Sequence, residues 1–352
     1  MVLMGTTVMA ILIANSPWGA LYTHWTGIVA HPINDGLMVI FFWMVGMEIK
    51  REMVEGELST WKEAALPLIG ALGGVVLPAL IFSYFNWGSN TMRGWAIPCA
   101  TDIAFSLGVI ALFGSRVPMA LKIFLMALAV IDDLVAVIII AVFYTNTINV
   151  PALMVAIGSL LILWHMNRSG IMQLLSYVLV GGMLWVAVLL SGVHATIAGV
   201  LLGMMMPGAL GKRCIDGLHP WVAYGIIPLF AFANAGIPLV GISANTLVAS
   251  LPLGILLGLF AGKQLGIFLC AWLAIKLKLA TKLRGVSWLT FYAVSIIAGI
   301  GFTMSLFIGS LAFADTVTQI EVRRGVIVGS LLSALVGSML LWISTRGSLS
   351  KD

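Results

Sequence analysis

The stretch Ala127-Leu128-Ala129-Val130-Ile131-Asp132-Asp133-Leu134-Val135-Ala136-Val137 sets two carboxylates side by side in otherwise wholly apolar text. It lies within an apolar run at about residues 118–143. A helix needs about 20 apolar residues to cross a bilayer, so this run is long enough to span one. Its length and lack of alternation argue against a strand. A charge at the centre of a span costs about 2.5–3.5 kcal/mol on insertion scales. Two adjacent aspartates there must therefore be paired, neutralised or hydrated.

Outward from this run the pattern repeats. Further apolar stretches fall at about 1–15, 33–54, 64–84, 94–113, 150–167, 172–190, 193–206, 220–240, 248–276, 287–313 and 325–344, which makes twelve. Ser191-Gly192-Val193 predicts a tight turn that divides 172–206 into two short spans. The first stretch is short and opens without the basic flank of a signal peptide, so it reads as a helix whose beginning is missing. Composition agrees with a membrane protein. Of 352 residues, 61% are hydrophobic and 9% charged, with mean hydropathy +1.12. A soluble domain carries about a quarter charged residues. A soluble enzyme, a disordered chain and a nucleic-acid binder are excluded. Cys99, Cys214 and Cys270 are too few and too far apart for a disulfide framework or metal pattern.

The net charge of +5 is a matter of loops. With both termini in the cytoplasm, 14 of the 18 Lys and Arg fall inside, among them Lys50, Arg51, Lys62, Lys122, Lys212, Lys282 and Lys351. Only Arg93, Arg323 and Arg324 fall outside, and Lys263 lies within a span. That asymmetry is a strong positive-inside signal and supports both the orientation and the count of spans.

Two spans read as broken. Pro98 and Asp102 interrupt Ala96-Ile97-Pro98-Cys99-Ala100-Thr101-Asp102-Ile103-Ala104-Phe105, and Gly299 and Gly301 weaken Ile296-Ile297-Ala298-Gly299-Ile300-Gly301-Phe302-Thr303. Ile103-Ala104-Phe105-Ser106 echoes Ile300-Gly301-Phe302-Thr303. These are the fourth and eleventh spans, each the middle of a three-span unit. Units of three spans lie in opposite orientations, and interrupted spans in inverted repeats point to a transporter's binding site. Two kinked but continuous helices are the plainer alternative. Small residues every fourth position, at Gly254, Gly258, Gly262 and Gly266 and at Gly325, Gly329, Ser333 and Gly337, predict close helix packing in lipid.

Asp102, Asp132, Asp133 and Lys263 are the four ionisable residues near mid-span. Adjacent helical residues point about 100° apart, so Asp132 and Asp133 border one cavity from two sides, or one of them takes a partner on another helix. Repulsion in a low-dielectric site disfavours ionising both, which suits exchange of a proton for a cation. Asp102 would offset the positive ends of half-helices and Lys263 the negative ones, or Lys263 would pair with an aspartate. Glu48, Glu52 and Glu55 share a helical face with Lys50 and Arg51 between them. They form either a solvated helix end or an acidic funnel for cations. Asp35 reads as a cap or interfacial group, and His194 and His219 as structural histidines near helix ends.

Together these motifs resemble a known family. Ala100-Thr101-Asp102-Ile103-Ala104-Phe105, Leu121 through Asp133, Ser191-Gly192-Val193-His194-Ala195-Thr196, Pro228-Leu229-Phe230-Ala231-Phe232-Ala233-Asn234-Ala235-Gly236 and Gly301-Phe302-Thr303-Met304-Ser305 are similar to stretches of the NhaA-type sodium/proton antiporters of bacterial inner membranes. The similarity runs from about residue 33 to 344. That family is itself a standard example of inverted-repeat transporters.

The resemblance implies an all-α polytopic membrane protein of about twelve helices, with helices 4 and 11 interrupted and crossing. It implies a single transporter domain over 1–352, with repeat units at about 64–143 and 248–344 (spans 3–5 and 10–12). It implies pH-regulated export of Na+ or Li+ against two inward protons, by alternating access and without a cofactor. By motif, Asp132 and Asp133 are the ion and proton site, with Asp133 the more direct ligand of the transported Na+. Thr101 and Asp102 assist at the crossing, Lys263 compensates charge, and Glu48, Glu52 and Lys212 form the pH-sensing entrance. Departures are visible. Gln264 stands where the family often has Pro. Lys212-Arg213-Cys214-Ile215-Asp216-Gly217-Leu218 lacks an expected Glu-His pair, which predicts altered pH sensing. Residues 16–32 are too few for the β-hairpin that pairs protomers, so a homodimer stays open. The partners implied are the lipid bilayer, Na+, Li+ and H+, with no nucleic acid. A sodium-coupled symporter or a cation channel of similar architecture are the alternatives. An intramembrane aspartyl protease would need a Gly-x-Gly-Asp motif that the sequence lacks, and a retinal pump its lysine on the last of far fewer spans.

Overall fold

A computed structural model describes residues 2–56, 58–145, 148–238 and 244–346. Lys351 and the last residues of the chain lie outside that range. All regular structure among the described residues is helical, as it must be where lipid offers the backbone no hydrogen bonds. The elements in order are α1 (Val2–Ala14), α2 (Gly19–His31), α3 (Met38–Val54), α4 (Trp61–Asn86), α5 (Ile103–Ala111), α6 (Met119–Phe143), α7 (Val150–Arg168) and α8 (Leu174–Leu190). After these come α9 (Thr196–Met205), α10 (Gly208–Trp221), α11 (Ile227–Asn234), α12 (Ala244–Val248), α13 (Ser250–Leu257), α14 (Lys263–Lys276), α15 (Trp288–Ile297), α16 (Phe302–Ala312) and α17 (Thr316–Arg346).

Among the described residues, eight stretches are long and apolar enough to cross a membrane, the broken Asn90–Ala111 among them, and α15 with α16 makes a ninth, bent by 42°. Three shorter apolar helices, α1, α8 and α9, fill the remaining places in the series of twelve. The predicted turn between α8 and α9 is present, with Gly192 at φ 85°, a left-handed conformation that suits glycine.

Three features go beyond the sequence pattern. Residues 19–31 form α2, whose Thr23, His24 and Thr26 dilute its hydropathy; it runs through a π-helical turn (Pro32–Leu37) into α3. The first half of the fourth span is not an α-helix but two 3-10 segments, Asn90–Gly94 and Ile97–Cys99. The tenth span carries a π-helical turn at Gly258–Gly262, so Lys263 emerges directly from a widened turn. Such turns interrupt the regular ladder and re-aim the next stretch of helix.

The small-residue stripes pack as their spacing predicts. A Cβ at Gly266 would come within 2.0 Å of the Gly73 carbonyl oxygen, so α14 and α4 cross with their backbones nearly touching. Gly262 faces Pro78 and Gly258 faces Pro98 along the same seam. Gly325 meets Pro252 and Gly337 meets Ile297, which docks α17 on α13 and α15. Gly46 and Gly203 do the same for α3 and α9. Small residues permit this approach where lipid supplies no hydrophobic drive.

Candidate functional site

The fourth and eleventh spans meet at their breaks. Ala100 and Asp102 have extended backbone, and the Asp102 N–H donates to the Ile300 carbonyl at 2.7 Å. The Thr101 hydroxyl donates to Ala298 O at 2.9 Å, Ser106 to Ile297 O at 3.2 Å and Ser305 to Ile97 O at 2.7 Å. Each broken span thus satisfies carbonyls that the other leaves without helical partners. A Cβ at Gly301 would come within 2.2 Å of the Ser305 hydroxyl, 2.6 Å of the Leu259 side chain and 3.0 Å of Ala100 O, so glycine keeps the crossing close.

The Asp102 carboxylate caps two helices at once. One oxygen accepts the Phe105 N–H at 2.9 Å, at the start of α5. The other accepts the Thr303 N–H at 3.0 Å and the Thr303 hydroxyl, at the start of α16. The Ser330 hydroxyl on α17 accepts the Phe302 N–H at 3.2 Å. The positive ends of two half-helices therefore face one negative charge. Lys263 occupies the opposite role. Its ammonium donates to Cys99 O, at the end of the 3-10 segment Ile97–Cys99, and to Asp132 Oδ2 at 2.7 Å. Both readings of Lys263, helix-end compensation and pairing with an aspartate, describe contacts it makes.

The two adjacent aspartates differ in surroundings. The one proton of the Thr101 hydroxyl is shared between Ala298 O and Asp132 Oδ2, the latter 2.7 Å away, while among the described residues Asp132 Oδ1 is buried without a partner. Asp133 is also buried, and among the described residues no hydrogen-bond donor engages its carboxylate. The titratable groups around Asp133 are Asp132, Glu48, Asp102 and Lys263. Among the described residues no three His, Cys, Asp or Glu side chains gather as a metal-ligand set.

A cavity of about 380 Å³ reaches this region from the end of α3 that bears Lys50 and Arg51. Glu48 and Glu52 line its mouth with Arg51, and Arg51 lies 3.6 Å from Glu52. Ile103, Ala104 and Val130 line it deeper in; Ala104 follows Asp102 by two residues and Val130 stands one turn before Asp133. Lys212 is not in this cavity. It lines a smaller one of about 110 Å³ beside Lys50, Arg51 and Glu55. The large cavity instead holds Asp216 and His219, so α10 brings an acid and an imidazole to the same mouth as Glu48 and Glu52. Beyond the crossing, a second cavity of about 230 Å³ is lined by Asn34, Asp35, His194, Asn234, Ser310, Gln319 and Arg323.

Several partners at the crossing escaped the sequence reading. Ser106, Ser305 and Ser330 are single hydroxyls in apolar helices with no charge to mark them. Ser330 carries a faint signal, because it follows Gly329 of a small-residue stripe. The buried carbonyls of Cys99, Ala298 and Ile300 have no signature in residue type at all.

Crossed, interrupted helices that hold buried carboxylates and an ammonium at the head of a cavity with acidic groups at its mouth define an integral membrane transporter. Comparison with known proteins narrows the class. The family model described as "Na+/H+ antiporter 1" matches residues 1–341. A Na(+)/H(+) antiporter NhaA of Caulobacter vibrioides is 52% identical, covering 98% of this chain and 88% of the relative. The Na(+)/H(+) antiporter NhaA 2 of Pseudomonas syringae pv. syringae is 51% identical over 97% of this chain and 91% of its own length. A Na(+)/H(+) antiporter NhaA of Tolumonas auensis is 47% identical over 100% and 94%. The chain belongs to the NhaA family of sodium/proton antiporters.

Proposed function

We propose that this antiporter exports Na+ or Li+ in exchange for inward protons, two per cation, with Asp132 and Asp133 as the shared site. The observation that carries this reading is the pairing of opposites at the crossing. Asp132 is held by Lys263 and Thr101, while its neighbour Asp133 is buried with no donor among the described residues, one turn from the lining of the large cavity. A carboxylate without a donor has free lone pairs for a hard cation or for a proton, but not for both together. Protonation expels the cation, and cation entry releases protons. Asp133 is the more direct ligand, Asp132 exchanges its tie to Lys263 for a proton or the cation, and Thr101 and Asp102 shape the site. Lys263 compensates the negative charge when the site is empty.

In this reading the end of α3 bearing Lys50 and Arg51 faces the cytoplasm, as do both termini, and the protein resides in the bacterial inner membrane. The distribution of Lys and Arg supports that orientation. Glu48 and Glu52 form the proton-responsive entrance, with Lys212 on its flank and Asp216 and His219 facing it. The whole chain works as one domain. Its repeat units, 64–143 and 248–344, bring their broken middle members together, and rearrangement of those members exposes the site to one side at a time. No cofactor and no enzymatic step are needed, because the proton gradient supplies the energy. A homodimer would have to form without the hairpin, since α2 occupies that segment. The family match disfavours a symporter or a channel.

Everted vesicles provide the test. Addition of Na+ or Li+ should dissipate an imposed pH gradient. Asp133→Asn should abolish the signal at normal expression, and full turnover in that variant would defeat the site assignment.

A further inference from the structure

We propose that a second inlet, used by protons alone, leads from the inner face to the Lys263–Asp132 pair, apart from the large cavity that serves the cation. This rests on the orientation and site proposed above. A further cavity of about 330 Å³ lies among α4, α6 and the loop after α14. Lys62, Glu63 and Thr281, all exposed, stand at its mouth. Its walls are apolar: Leu66 and Pro67 on α4, and Ile123, Phe124 and Ala127 on α6. It shares no lining residue with the large cavity, which carries Glu48, Glu52 and Asp216.

The two cavities lie against different sides of α6. Met126 and Val130 line the large one, and Asp133 follows Val130 at i+3. Phe124 and Ala127 line the other. Phe124, Leu128 and Asp132 follow one another four residues apart, along one ridge of the helix. Ala127 stands about 7.5 Å of helix rise before Asp132. On α4, Gly70 comes one turn after Leu66. A Cβ there would meet Leu128 at 3.5 Å, Phe124 at 3.6 Å and Ile267 at 3.7 Å. One turn further, a Cβ at Gly74 would meet Ile267 at 2.8 Å and the Lys263 Cε at 3.8 Å. On α14, Ile267 stands one turn after Lys263. Three helices thus run from the cavity, past a single apolar layer, to the ion pair. Leu128 and Ile267 make that layer, and they rest against glycines, which leave their side chains room to turn.

A proton and a sodium ion make different demands on such a passage. A proton travels along a file of water molecules. Na+ needs oxygens to replace the hydration it sheds. Leu66, Phe124, Ala127, Leu128 and Ile267 offer none, and Lys62 sets a positive charge at the mouth. The large cavity, with carboxylates at its mouth, suits the cation. At the inner end of the passage, Asp132 Oδ1 has no partner among the described residues. When Asp132 is protonated, its O–H bond breaks toward a water molecule that has entered past Leu128 and Ile267. The proton leaves as hydronium, and the carboxylate pairs again with the Lys263 ammonium. Cation entry at Asp133 and proton exit at Asp132 then use opposite sides of α6 and do not obstruct each other.

The test uses the full chain reconstituted in lipid vesicles and compares two exchanges. Labelled Na+ exchanges for Na+ with no net proton movement, whereas Na+ exchanges for H+ only when protons leave the site. Ala127→Leu fills the inlet. It should slow Na+/H+ exchange roughly ten-fold and leave Na+/Na+ exchange at alkaline pH unchanged. Val130→Phe, in the large cavity, should slow both. In a cysteine-free background, Leu66→Cys should react with a small impermeant thiol reagent from the inner face, and Ala127→Leu should shield it. Should Ala127→Leu fail to fold, Ile123→Phe fills the same cavity and carries the same readouts. Equal loss of both exchanges overturns the proposal. So does undiminished Na+/H+ exchange in a variant whose Leu66→Cys is shielded, or a Leu66→Cys that never reacts. The site reading fails separately, through exchange by Asp133→Asn, which leaves the contrast between the two exchanges in Ala127→Leu unaltered.

Discussion

The two interrupted spans cross at the same depth, yet they are not equivalent. The fourth brings an ionisable side chain of its own, Asp102, and its first half ends on the Lys263 ammonium at Cys99 O. The eleventh brings no charge. Its first half ends on neutral donors borrowed from the fourth: the Thr101 and Ser106 hydroxyls and the Asp102 N–H. Its second half begins on the fourth span's carboxylate. One broken helix carries the charge, and the other supplies backbone dipoles and the glycine that lets them approach. Helix ends in a membrane need compensation, but both members of a crossed pair need not carry it.

The comparison can be broken most directly at Lys263. Lys263→Met leaves Asp132 without its counter-charge and Cys99 O without its donor. Breaking a buried pair from one side costs about 3–5 kcal/mol, so thermal unfolding in detergent should show the largest loss in this series. Asp132→Asn/Lys263→Met should recover part of it, because the orphaned charge is then gone. Equal stability of Lys263→Met and the wild type would mean that the fourth span needs no charge at its break.

Asp102→Ala is next. It orphans the Phe105 and Thr303 N–H groups, each unmet donor costing about 1–3 kcal/mol, and should destabilise by about 3 kcal/mol on the same measurement. Ser106→Ala removes only a neutral donor to the eleventh span, and about 1 kcal/mol is expected. A Ser106 effect as large as that of Asp102 would erase the distinction between the spans. Asp315 serves as the reference in water. Its carboxylate caps α17 by accepting the Thr318 N–H at 2.8 Å, which holds it below the usual aspartate value. The folded form is the stronger acid here, so the stabilisation is present at neutral pH and lost as pH falls through the folded value. Asp315→Ala should give the smallest change, confined to neutral and alkaline pH in a series of melting curves.

Much of this arrangement was legible in local text. Asp102, Asp132, Asp133 and Lys263 stand out because lipid tolerates so few charges, and Pro98, Gly299 and Gly301 mark where the helices break. The lining of the large cavity was legible only in part. Glu48 and Glu52 share the large cavity, but Lys212 faces a neighbouring one, and Asp216 and His219 take the place beside them. Spacing on one helix says which residues share a face, but not which other helix that face will meet.

By itself the sequence determined an all-helical chain of many apolar spans, the breaks in the fourth and eleventh, and the four buried ionisable residues. All of these rest on local hydropathy, because the bilayer imposes the same demand on every segment wherever it packs. Tertiary structure alone decided that Asp132 takes Lys263 while Asp133 takes no donor among the described residues, and that Asp102 caps α16 as well as α5. Those outcomes depend on crossing positions and on helical turns re-aimed by π-helical segments. They come from contacts between residues 131 to 201 apart in the chain, which no local pattern encodes.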